Sequence, residues 1–224
     1  MAHGRDAAPS RTRGGGNGRE RIMIRLADTP MTWVATGDSI TQGVLHTHGA
    51  RGWAEHVHER VGWQLGRLTD VLINSGVSGW SAGDVLGAHD WLIGRFQPDV
   101  LSVSLGTNDC LAGEAGLPAF HDAMRKIIDN VGEGTQIVLH TPVLVSFSGR
   151  ERRAAMPAYC QAVRELAAET GALLVDHEAH WLAHHGTADP IPWLDDAAHP
   201  NATGHLEMAN HALRVMGLGE LEQP

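Results

Sequence analysis

The feature that most constrains this chain is a rhythm. From Met31 onward, short apolar runs alternate with longer stretches whose apolar residues recur every three or four positions. Met31–Gly37 (MTWVATG), Val71–Asn74 (VLIN), Val100–Leu105 (VLSVSL), Gln136–His140 (QIVLH) and Ala172–Val175 (ALLV) each read as a strand buried on both faces. Between them lie helical patterns. Arg51–Leu65 sets Trp53, Val57, Val61 and Leu65 four apart, and Ser81–Phe96 opens on a serine suited to an N-cap. Leu117–Val131 carries Phe120, Met124, Ile127, Ile128 and Val131 on one face, and Arg153–Thr170 follows as a further helix. Ala202–Met216 closes the chain with Leu206, Ala209, Leu213 and Met216. Strand–helix–strand units join by right-handed crossovers, so the sheet is mostly parallel and helices cover both faces. The expected fold is a three-layer α/β/α sandwich on a mostly parallel five-stranded sheet, without an internal repeat.

Composition bounds the rest. A chain of 224 residues fits one such domain, and 42% hydrophobic residues excludes wholesale disorder. Residues 1–30 are Gly- and Arg-rich with no apolar period, and are expected to form a disordered basic tail ahead of a domain at 31–224. That tail holds six arginines against three acids, and the remainder holds 11 basic against 23 acidic residues. So acidic a body repels phosphate backbones, which argues against nucleic acid as a partner. No stretch is long and apolar enough for a membrane span, and no apolar leader of secretory type is visible, so a cytoplasmic location is expected. Cys110 and Cys160 are too few for a disulfide framework and fit a reducing compartment.

In sheets of this kind ligands bind at the carboxyl ends of the strands. The first strand runs into Gly37-Asp38-Ser39-Ile40-Thr41, the second into Asn74-Ser75-Gly76-Val77-Ser78-Gly79, and the third into Gly106-Thr107-Asn108-Asp109. Asp196-Ala-Ala-His199-Pro200 precedes the last helix. A hydroxyl, a glycine turn, an amide and an Asp/His pair on one rim fit acyl transfer at an ester. A serine hydroxyl needs a base, and His199 has the right chemistry for Ser39. Asp196, three residues earlier, can orient that ring from the same turn. The Ser39 and Gly79 N–H groups and the Asn108 amide can donate to a developing oxyanion. Neither Ser39, with Thr41 two residues on, nor Ser78, with Trp80 two residues on, fits the G-x-S-x-G elbow of α/β-hydrolases.

The GDSI block at 37–40, the NSGVSG block at 74–79, the GTND block at 106–109 and the DAAHP block at 196–200 resemble the four blocks of the SGNH hydrolases, also called GDSL esterases/lipases. They occur in the family's order, and the resemblance spans Met31 to Met216. It implies Ser39 as nucleophile, Gly79 and Asn108 as oxyanion donors, His199 as base and Asp196 as its acid. It also implies a small-molecule ester substrate and no cofactor. GTND together with the His199-Pro200-Asn201 sequence looks more like the carbohydrate-esterase and acetylesterase branches than the lipases. An acyltransferase, a lysophospholipase or a thioesterase would share the same acyl-enzyme. A non-catalytic binding module and a metal-dependent hydrolase are the readings from other classes.

Other residues are weighed against plainer roles. Asp38 and Asp109 read as structural hydrogen-bonding residues. Asp195 and Asp176 are rivals of Asp196 for the acid. His46 and His48, in the loop after the nucleophile, are placed to contact substrate, and no metal is expected at any of the fifteen histidines. Trp80 and Trp193 are candidates for lining the site, whereas Trp53 and Trp63 are expected in the core or half-buried.

Overall fold

In a computed structural model of the protein, residues 23–222 are described. Five parallel strands form one sheet: β1 (Thr32–Gly37), β2 (Val71–Asn74), β3 (Val100–Ser104), β4 (Gln136–His140) and β5 (Leu173–Val175). Their order across the sheet is β2-β1-β3-β4-β5. The chain therefore starts mid-sheet, steps outward to β2, and returns past β1 to build β3, β4 and β5. The reversal leaves a crevice between the carboxyl ends of β1 and β3, where Gly37 pairs with Ser104.

The helices follow in chain order. A single turn, α1 (Ser39–Gln42), leaves β1, and α2 (Trp53–Glu59) runs into a π-turn at Arg60–Gln64. Next come α3 (Ala82–Gly87) and α4 (His89–Leu92), then α5 (Leu117–Asp129) and α6 (Met156–Thr170). The chain ends in α7 (His177–His185) and α8 (Ala202–Met216). Alternation along β1 divides the core in two. Trp33 and Ala35 face a cluster holding Trp53, Val57, Trp181, Met208 and Leu213 from α2, α7 and α8. Val34 faces the opposite cluster, with Val85, Met124, Ile127 and Val163 from α3, α5 and α6. These are the two helical layers the strand rhythm requires.

The structure departs from the sequence reading at four places. The helix expected over Ser81–Phe96 is broken into α3, α4 and a 3-10 turn at Gly94–Phe96. Gly87 and Gly94 fall at the breaks, where the unconstrained glycine backbone weakens continuation. Its start is as expected: the Ser81 hydroxyl accepts from the Asp84 N–H, and the Asp84 carboxylate accepts from the Ser81 N–H. Trp63 is exposed, with 75% of its surface open. It lies two positions from Val61, and on a helix that spacing points away from the buried face. The α7 helix has no counterpart in the sequence reading. Finally, Met23–Pro30, placed in the tail by composition, run against the body. Ile24 is buried, its N–H donates to the Met216 carbonyl (3.0 Å), and Arg25 and Gln136 exchange two hydrogen bonds. The rest of the expected tail lies outside the described residues.

Candidate active site

Each block of the sequence closes a turn that the next block locks. Asp38 caps the short α1: its carboxylate accepts the Ile40 N–H at 2.9 Å, which turns the chain sharply and puts Ser39 at the head of the turn. Asp38 is fully buried, and burial, reinforced by the nearby Asp109 charge, raises its carboxyl to about 7. The loop after β2 packs onto this turn. A Cβ on Gly76 would lie 2.6 Å from the Gln42 nitrogen, so only glycine permits the approach. The Asn74 amide donates to the Thr41 carbonyl at 2.7 Å. Gly79 then adopts φ +80°, a left-handed conformation that suits glycine. Asp109 ties the third loop to the second by accepting from the Ala82 and Gly106 N–H groups at 2.8 and 3.1 Å. Both residues read as structural thus act on backbone. Asn108 uses one amide hydrogen on the Trp80 carbonyl at 3.0 Å, which orients the amide and leaves its second hydrogen for another acceptor.

The fourth block is a tight loop. Its base is pinned where the Asn201 amide donates to the Pro192 and Leu194 carbonyls, and the Asp195 N–H donates to the His199 carbonyl at 2.8 Å. Inside it, Asp196 Oδ1 accepts from the Ala198 and His199 N–H groups, each at 2.8 Å. The Asp196 carboxylate also meets His199 Nδ1 at 2.9 Å. Burial works to raise this carboxyl. It is outweighed by the two backbone donors and the imidazole, which hold it down at about 2. An ionised carboxylate only accepts, so Nδ1 holds a proton toward it, and in the neutral ring Nε2 is then the acceptor. That Nε2 lies 2.9 Å from Ser39 Oγ.

The rivals of Asp196 are occupied elsewhere. Asp176 caps α7 and forms a two-pronged pair with Arg164 at 2.7 and 2.8 Å. Asp195 meets His46 Nδ1 at 2.9 Å and His48 Nε2 at 2.7 Å. His46, read as a substrate contact, has its ring stacked on His199, with centroids 3.8 Å apart and planes 8° from parallel. Among the described residues, His46, Asp196 and His199 also form the grouping whose donor atoms lie close enough for one cation, within 4.8 Å.

Of the two candidate lining tryptophans, Trp80 is half-buried and joins the site through its carbonyl. Trp193 is buried, stacked on His184 and edge-on to Trp181, so it belongs to the packing of α7 rather than to the rim. A cleft of about 600 Å³ opens at the far, amino end of the sheet between Ile24, Gln136 and Leu173, and no serine, histidine or carboxylate lines it. That cleft and the Ser39 rim lie at opposite ends of the sheet. The rim is the candidate site because it sets a hydroxyl, an imidazole and a carboxylate in contact.

Four sequence blocks converge on one rim in an α/β/α sandwich, and the family model of GDSL-like lipases/acylhydrolases matches residues 35–206. The chain belongs to the GDSL-like lipase/acylhydrolase family. It is thus a serine ester hydrolase of the SGNH/GDSL type. An acetylxylan esterase of Geobacillus stearothermophilus is 26% identical over 201 residues, covering 81% of this chain and 91% of that protein. Among solved structures, a putative GDSL-like lipase from Parabacteroides merdae superposes with a TM-score of 0.76 at 22% identity, covering 88% of this chain and all of that one. A catalytic mutant of an acetylxylan esterase from Geobacillus stearothermophilus superposes with a TM-score of 0.73 at 22% identity, over 90% of this chain and all of the other. In the SGNH/GDSL family a triad and an oxyanion hole are general features, and the residues available here for them are those just described. Among the described residues no helix is long and apolar enough to cross a membrane.

Proposed function

We propose that this esterase removes an acetyl or other short acyl group from a carbohydrate or small metabolite through an acyl-enzyme on Ser39. The observation that carries the reading is one unbroken line of contacts: Ser39 Oγ to His199 Nε2 at 2.9 Å, and His199 Nδ1 to Asp196 at 2.9 Å. Ser39 gives its proton to Nε2 as its oxygen attacks the ester carbonyl. The resulting oxyanion accepts from the Ser39 and Gly79 N–H groups and the Asn108 amide, donors fixed before the charge develops. Collapse expels the alcohol, which takes the proton from His199. Water then attacks the acyl-enzyme with its proton passing to His199. The acid leaves and the proton returns to Ser39. Asp196 holds the ring in its tautomer and steadies the imidazolium at each crossing.

The acetylxylan esterase relative supports a small acyl group on a sugar. The test is hydrolysis of p-nitrophenyl esters of rising chain length beside acetylated xylooligosaccharides, with a phosphonate probe mapped by mass spectrometry. Preference for acetate and a single adduct on the Ser39 peptide are expected. Best turnover on long-chain esters would replace the substrate assignment by a lysophospholipase or thioesterase. Efficient transfer to an added alcohol in place of water would replace hydrolysis by acyl transfer.

A further inference from the structure

The stacked ring beside His199 has no part in the mechanism so far. We propose that His46 is a positioning residue for the His199 imidazole, held flat against it by an Asp195–His48 clamp. The proposal rests on the reading of His199 as the base.

Three observations carry it. First, the two rings are 8° from parallel at 3.8 Å, which is van der Waals contact over a whole face. A ring pinned only at its two nitrogens, by Ser39 and Asp196, remains free to rock about the line joining them. A flat neighbour removes that motion on one side. Second, the neighbour is itself held. Asp195 Oδ2 accepts from His46 Nδ1 and Oδ1 from His48 Nε2, at 2.9 and 2.7 Å. Those two hydrogen bonds, His46 first, hold the Asp195 carboxyl below its ordinary range, so it is ionised and both rings donate to it. Third, the clamp and the catalytic acid share a backbone. Asp195 and Asp196 are consecutive, and the Asp195 N–H donates to the His199 carbonyl at 2.8 Å. The result is two carboxylate–imidazole pairs side by side, and only one reaches Ser39.

Charge adds a readout. The groups around His46 are Asp195, His48 beyond it, Asp196 at 4.0 Å, His199, and the buried His205 beneath. Replacing His46 by phenylalanine keeps the flat ring but takes one hydrogen-bond donor from Asp195. More of that negative charge then faces His199 and favours its protonated form, so the rising limb of kcat/KM should move to higher pH.

The experiment compares His46→Ala, His46→Phe, Asp195→Asn and Ser39→Ala on one activated acetyl ester across pH, with thermal melting as the fold control. His46→Ala should lower kcat about tenfold with KM nearly unchanged, because a tilted base costs rate rather than binding. His46→Phe should recover most of that loss and show the displaced limb. Asp195→Asn should fall between wild type and His46→Ala. Equal losses in the alanine and phenylalanine variants, an effect confined to KM, or no effect at all would overturn the proposal. Should His46→Ala melt early, the phenylalanine limb and the Asp195→Asn rate decide alone. Retained turnover in Ser39→Ala would instead bring down the triad reading. An inactive Ser39→Ala beside an indifferent His46 brings down only this inference.

Discussion

Histidines stand in two regions of this protein under opposite electrical conditions. At the rim, His199 and His46 each meet a carboxylate within 3.0 Å and keep part of their surface in water. In the core, His140 and His177 face each other at 3.0 Å, both fully buried, with no carboxylate against either ring and with His140 Nε2 and His177 Nδ1 unpartnered among the described residues. Burial drives the core rings down: His140 to about 3, His177 well below the ordinary value, and His205 to about 4. The difference teaches that the side chain does not determine the role. A carboxylate neighbour orients an imidazole and favours its charged form. Burial without one makes it a neutral packing group that resists a proton.

The largest test strikes the rim. Ser39→Ala should lower ester turnover by about four to six orders of magnitude while thermal melting stays unchanged, since triad members act as a unit. Residual activity above about a tenth of wild type, in protein free of contaminating esterase, would falsify the serine mechanism. Next is the carboxylate that sets His199 apart from the core rings. Asp196→Asn should cost about 10³–10⁴ in kcat. It should also shift the rising limb of kcat/KM to lower pH, because the imidazolium loses its negative neighbour. Asp176→Asn should leave both kcat and that limb in place, since Asp176 serves Arg164 and the start of α7. A normal profile for Asp196→Asn with the loss appearing in Asp176→Asn would reassign the acid.

A smaller effect belongs to the oxyanion site. Asn108→Ala should lower kcat by about 10²–10³ with KM little changed, because the second amide hydrogen matters mainly in the transition state. Steady-state kinetics on a single p-nitrophenyl ester separates that from a change confined to KM, which would place Asn108 in ground-state binding.

The last test turns to the core. His140, His177 and His205 have folded pKa values below the unfolded value of about 6.5. The unfolded chain therefore binds more protons in that window. Their stabilising contribution is fully present above pH 6.5 and is lost as pH falls through 6.5 towards the folded values. Each contributes a slope of about 1.4 kcal/mol per pH unit. Urea unfolding between pH 7 and 5 should show stability falling, and His140→Leu should flatten the fall by roughly one such slope. An unchanged slope would mean that His140 carries a proton in the fold.

Much of this architecture was legible because it rests on local rules. Five apolar runs became five strands, and Ser81 marks a helix start by a cap that depends on a few neighbours. The α7 helix escaped notice because HEAHWLAHH is rich in histidine and reads as polar. In the fold Trp181 and His177 are buried, and only the flanking Asp176 and Gly186 carried a helix signal. Trp193 looked like a wall of the site because it precedes the Asp196 loop, yet one backbone turn carries it into the core.

From sequence alone came the strand–helix alternation, the family blocks and the candidacy of Ser39, His199 and Asp196, because each rests on residue types within short local patterns. Tertiary structure decided what those spacings cannot reach. The 2.9 Å contact between Ser39 and His199 joins residues 160 positions apart. The flat stack of His46 on His199, and the Asp195 clamp across 149 positions, are likewise long-range contacts. The physical reason is that hydrogen-bond geometry and ring contact depend on sub-ångström placement. That placement is set by how β1, the loops and α8 pack, and no local pattern records it.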